Sequence, residues 1–157
     1  MNTISSVGAP RSVFVPASRS SAAAGDWVSF ENVKGWRFII DVGAVTAGGN
    51  IKLHKSAVAG GSSSAQIDFA SYQKRTASSD TYTKTSANSS GSHSCITLGN
   101  SSDNKTFVVD VNAAELGGSY KFATVKVPAG FSACLCSVVA LPYGGRYQQD
   151  SEPTALA

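Results

Sequence analysis

The sequence predicts an all-β protein: an antiparallel β-sandwich or jelly-roll-like barrel carrying an extended N-terminal arm. Three observations lead there. Apolar residues recur at strand spacing in short runs, such as Trp36, Phe38 and Ile40 or Phe107, Val109 and Val111. Gly, Asn and Ser punctuate these runs every ten residues or so. No segment sustains the helical period, and about eight or nine short strands account for the pattern.

Residues 1–25 are rich in Ser, Ala and Val, hold Pro10 and Pro16, and show neither period, so they are expected to be an arm, mobile or laid against a partner. Its one apolar cluster, Val13 to Val15, would be its anchor. The sandwich is expected over 26–147, beginning with a short strand from Trp27. In the next run, 36–42, Trp36, Phe38 and Ile40 share one face while Arg37 and Asp41 take the other. Gly48, Gly49 and Asn50 then form a turn that tolerates positive φ, and Ile51 to His54 return as a partner strand.

After a Gly/Ser loop, Ala65, Ile67 and Phe69 alternate with Gln66 and Asp68. The stretch 71–94 is mostly polar, an excursion with one weak, solvent-facing strand at 81–85. A brief strand is expected at 95–98 and a stronger one at 105–111. Asn112 is placed to cap one helical turn that Gly117 and Gly118 stop. The run 120–127 changes apolar phase near Phe122, which calls for a bulge or a strand covered on both faces. The run 133–141 is interrupted only by Ser137, so both its faces are expected to be buried. Residues 148–157 form a polar, flexible tail.

Composition narrows the function. The net charge is +3 and charged residues make up 15%, with Lys74-Arg75 the one adjacent basic pair, whereas nucleic-acid binding needs a concentrated basic face. No apolar run reaches membrane-spanning length, and the opening residues lack the basic and apolar segments of a signal peptide. The cysteines Cys95, Cys134 and Cys136 are odd in number, which argues against a disulfide framework.

Candidate chemistry is sparse. His93 lies near Cys95, but no third group is placed to orient its imidazole, so a loop histidine beside a buried cysteine is the expected state. Cys134 and Cys136 put two thiols on one side of a strand, where zinc ligands would not wrap tetrahedrally; small buried hydrophobes are expected instead. Asn88, Asn100 and Asn104 match the glycosylation pattern at the frequency chance allows. The carboxylates form no close pair on one strand face. Trp27 and Trp36 are the residue type that stacks on sugars; Trp36 shares its face with Phe38 and Ile40 and reads as core, leaving Trp27 the freer candidate. These readings leave no enzyme, cofactor or metal.

The order of elements resembles the decoration, or cement, proteins of tailed-bacteriophage capsids. It runs from Trp27-Val28-Ser29-Phe30 through Trp36-Arg37-Phe38-Ile39-Ile40-Asp41-Val42-Gly43, a Gly-rich turn and Ile51-Lys52-Leu53. It continues with Phe107-Val108-Val109-Asp110-Val111, an Ala-Glu-Leu connector and Tyr120-Lys121-Phe122-Ala123-Thr124-Val125-Lys126-Val127, and closes with the apolar strand and Gly144-Gly145-Arg146-Tyr147. The resemblance implies a virion protein on the capsid surface, made in the host cytoplasm. It would bind the major capsid protein as a homo-trimer or small homo-oligomer, with no nucleic acid or membrane as partner, and staple neighbouring subunits. Phe14, Trp27, Arg146 and Tyr147 are the candidate contacts. The alternatives are another virion part, a head-completion or tail component, or a carbohydrate-binding β-sandwich module, which requires Trp27 or paired aromatics exposed in a groove.

Overall fold

A computed structural model describes residues 9–19, 22–76, 78–99, 104–127, 134–144 and 155–156. It is nearly all β, with two antiparallel sheets packed together as a sandwich. The strands are β1 (Arg11–Arg19), β2 (Ala23–Ala24), β3 (Trp27–Ser29), β4 (Gly35–Val45), β5 (Gly49–Ser56), β6 (Ala65–Ile67) and β7 (Ser71–Thr76). There follow β8 (Thr83–Ser86), β9 (Asn88–Ser90), β10 (His93–Leu98), β11 (Lys105–Asn112), the single-turn helix α1 (Ala113–Leu116), β12 (Phe122–Val127), β13 (Cys134–Tyr143) and β14 (Ala155–Leu156). The six-stranded sheet runs β1-β13-β4-β11-β7-β8. The eight-stranded sheet runs β14-β3-β12-β5-β10-β9, with β2 beside β12 and β6 beside β5.

The alternation read in 36–42 holds in space. Trp36, Phe38 and Ile40 are fully buried between the sheets, and Arg37 and Asp41 face out. Phe107, Val109 and Val111 meet them from β11, Cys136, Val138 and Ala140 from β13, and Ile51, Leu53, Ala123 and Val125 close the core from the other sheet. Thus the two layers interdigitate apolar side chains across their central strands. The helical turn also forms where expected: the Asn112 backbone N–H donates to Glu115 Oε2 at 3.0 Å, and Gly117 ends the turn at φ 73°.

Several expectations are corrected. Residues 11–19 are not an arm outside the domain, because β1 pairs antiparallel with β13 and places Val13 and Phe14 in the core. The edge of β13 would otherwise expose a row of unpaired amides, and the Val13-Phe14 pair supplies the apolar area to hold a strand there. In the 148–157 tail, Ala155 and Leu156 pair with Val28 and Trp27 on the edge of β3. Nor do β4 and β5 form a hairpin. The chain crosses between sheets at Gly48, where a Cβ would stand 2.4 Å from the Leu98 carbonyl oxygen, and β5 pairs with β10, β12 and β6.

The phase change before Val127 has no bulge: β12 pairs with β5 in unbroken register from Phe122 to Lys126. Instead β12 is covered on both faces. Thr124, on the side away from the core, is fully buried and its hydroxyl donates to the Asp26 carbonyl at 3.0 Å. The loop 57–64 continues this cover: Ser56 Oγ donates to the Ser62 carbonyl at 3.3 Å, and Lys126 Nζ to Ser64 Oγ at 2.7 Å. By contrast β13, expected to be covered twice, buries Cys136, Val138, Ala140 and Pro142 on its inner face, while Leu135 is 49% exposed on the outer face.

Candidate interaction surface

The outer face of the six-stranded sheet is built from cross-strand rows. Val139 pairs with Ile39 and Ile39 with Val108, an aliphatic row across β13, β4 and β11. Two residues along, Leu141 stands beside Arg37, which meets Asp110 in a fork: Nε to Oδ1 at 2.7 Å and Nη2 to Oδ2 at 2.9 Å. That hydrogen bond, ahead of the charge attraction, raises the Arg37 pKa. Both side chains are nearly half exposed, so the pair orients the face more than it stabilises the fold. On the other side of the aliphatic row, Ser137, Asp41, Thr106 and Arg75 form a polar row, in which the Thr106 hydroxyl donates to Asp41 Oδ1 at 2.7 Å.

Among the described residues no third sheet is stacked on these rows, although their β11 members Thr106 and Val108 are buried at 8% exposure each; the corresponding side of β12 lies beneath the 57–64 loop. Antiparallel sheets commonly leave one face to water, but then its side chains are polar. Here Ile39, Val139 and Leu141 are only partly buried and Leu135 and Val15 are exposed. Partly exposed aliphatic side chains on such a face are the surface feature with most capacity to bury area against another protein.

The candidate contacts fall elsewhere. Phe14 is 4% exposed and belongs to the core, and Trp27 is 7% exposed. The Trp27 ring lies against Gly61, with Lys126 Nζ 5.7 Å from a ring centroid. Trp36 is fully buried, its indole N–H donating to the Ser29 carbonyl at 2.7 Å. Neither tryptophan offers a sugar-stacking platform. Arg146 and Tyr147 lie outside the described residues.

One group that sequence reasoning missed is Asp68. Its carboxylate accepts the Ser94 backbone N–H at 2.8 Å and meets His93 Nδ1 at 3.2 Å, so the imidazole does have an orienting partner. The Ser94 N–H, then the imidazole, holds the Asp68 pKa below its usual value. Among the described residues Asp68 is the one group hydrogen-bonded to the His93 imidazole. Cys95 is fully buried and contacts Thr97 Oγ1 at 3.7 Å, so the thiol and imidazole do not meet. The side chain of Cys134 lies outside the described residues, and Cys136 is core. No group of three or more His, Cys, Asp or Glu able to hold a metal occurs among the described residues, and none of their helices is long and apolar enough to cross a membrane.

His54 stands between Thr124 and Gln66 across its neighbouring strands, with Nδ1 buried and unpaired. Burial first, then the charges of Lys126 and Lys52, push its pKa down to about 4 from 6.5. The unfolded chain therefore takes up a proton between pH 6.5 and about 4 that the folded chain refuses. Stability is complete above pH 6.5 and falls through this window. Urea midpoints measured from pH 7 to 4.5 are expected to decline, and to decline less steeply in His54→Gln; identical slopes would refute this assignment. No protein-family model, curated protein or solved structure matches this chain.

Proposed function

We propose that this chain is a non-enzymatic virion protein that binds the outside of a phage capsid and staples neighbouring subunits, a decoration or cement protein. The observation that carries the reading beyond the resemblance in element order is the set of partly exposed aliphatic side chains Val139, Ile39 and Leu141 on the outer face, with Leu135 exposed on the same face beyond the polar row. A protein that acts by adding buried interface needs an outward surface of this kind and no reaction centre. Binding only the assembled shell raises the free energy needed to separate its subunits, by mass action. Neither Phe14 nor Trp27 is required for this, and the burial of Trp27 removes one of the two features that the sugar-binding alternative could use.

The test is to mix purified protein with capsids stripped of their decoration, count bound copies per shell and compare thermal rupture temperatures. Saturation near the number of three-fold sites with a higher rupture temperature is expected. Absence of binding to intact shells would overturn the proposal and direct attention to head-completion or tail positions.

A further inference from the structure

The C-terminal strand β14 ends the eight-stranded sheet, and β3 is its one partner there. Two residue pairs hold it, Ala155 with Val28 and Leu156 with Trp27. Pro153, which cannot donate to a ladder, stands two residues before the strand and keeps the pairing short. A seat made by the backbone of two residues, at about 1 kcal/mol net per hydrogen bond, opens readily while the rest of the sandwich stays folded.

The connection to this strand is longer than the gap it crosses. Antiparallel pairing sets Ala155 toward the Ser29 end of β3. The Ser29 carbonyl accepts the Trp36 indole at 2.7 Å, and Trp36 pairs with Pro142, so β13 leaves its own sheet at this same end of the sandwich. The gap is roughly one sheet spacing plus one strand spacing, about 15 Å at most. Ten residues, 145–154, join Gly144 to Ala155, and ten extended residues reach about 33 Å. Such a linker does not confine the strand to its own seat; it supplies the strand there at an effective concentration of about 1 mM.

We propose that the β3 edge receives the C-terminal strand of a second copy of this chain, in reciprocal exchange for its own. When two copies trade strands, each seat holds the same residues as before. The strength of the seat therefore cancels, and the linker alone sets the balance. Exchange becomes substantial once neighbouring copies stand at about 1 mM, the concentration at which the linker presents the chain's own strand. The incoming strand is taken by main-chain hydrogen bonds, as when any extended segment adds to a sheet edge. Copies fixed side by side on a shell would meet this condition, and that setting rests on the cement reading; the exchange itself does not.

The experiment mixes two full-length chains under mild oxidation, one carrying Val28→Cys and the other Ala155→Cys, both with Cys134→Ser. Cys95 and Cys136 are buried. Positions 28 and 155 are direct cross-strand partners, at a spacing a disulfide accepts. The mixture is expected to give a cross-linked pair at a rate that rises with concentration and levels off near about 1 mM. That rate should exceed at least about tenfold the rate with Val58→Cys, at an exposed loop position, in place of Val28→Cys. A chain carrying both substitutions is expected to close on itself at micromolar concentration. If that chain closes but the mixture does not cross-link at 1 mM, exchange is overturned. Failure of the double variant to close, with the circular dichroism of a folded sandwich, would overturn the seat itself. Equal rates with Val28→Cys and Val58→Cys would also overturn exchange, since the link would then report collision alone. Shell binding by chains that do not exchange leaves the cement reading standing; exchange without shell binding removes the shell as its setting.

Discussion

Trp36→Ala is expected to lower the unfolding free energy by about 3–5 kcal/mol, a large fraction of the ~5–15 kcal/mol typical of a single domain. Trp36 is fully buried in β4, with Val111 on one neighbouring strand and Pro142 on the other, at the level where the two sheets close. Truncation leaves a cavity between rigid strands that collapse poorly. It also strips the Ser29 carbonyl of the indole donor at 2.7 Å. Urea unfolding followed by far-ultraviolet circular dichroism measures the loss without depending on tryptophan emission. A loss under about 1.5 kcal/mol would mean that the site relaxes and that Trp36 is not the centre of the core.

Gly61→Ala is expected to cost about 2–4 kcal/mol although the residue lies in a surface loop. Gly61 has φ 71°, and a Cβ there would stand 2.3 Å from Cε2 and Cζ2 of Trp27. Backbone strain and displacement of a rigid ring therefore add. The displaced indole enters water, so its fluorescence shifts to longer wavelength, while Trp36 remains buried. In a Trp27→Ala background only the backbone share, about 1–2 kcal/mol, is expected to remain. Equal costs in the two backgrounds would show that the loop does not seat on Trp27.

These two sites mark how far the sequence could be read. The alternation of Trp36, Phe38 and Ile40 is a local property, so the strand, its faces and its place in the core were legible. The Asn112 and Gly117 ends of the single helical turn were legible for the same reason. The pairing of strands was not. Nothing within residues 46–54 says that the chain changes sheet at Gly48, and the polar run Ser71–Thr76 shows no period that would identify β7. That strand is held by pairing with β11 and by Tyr72 packing edge-on to Phe107, 5.7 Å between centroids. The expected edge strand at 81–85 was found as β8, at 83–86, because an exposed strand declares itself by Thr content alone. Trp27 shows the reverse limit: aromatic character does not reveal which loop will cover it. The meeting of Pro16, Asp41, Arg75, Thr106 and Leu135 around one depression of the outer face was invisible, since they come together only through register.

The pairing of β1 with β13 has a consequence for biosynthesis. Arg11 emerges from the ribosome early, but its partner Ala140 is made nearly last among the described strands. β4 likewise waits for both β11 and β13. At about 5–20 residues per second the first half of the chain spends several seconds with Val13, Phe14, Trp36 and Phe38 uncovered. Folding is therefore a late, all-at-once event, slow in the manner of folds dominated by distant pairings. In that interval the sparse charges Arg37 and Asp41, set between aliphatic residues of β4, act as the nascent chain's protection against sticking to its neighbours.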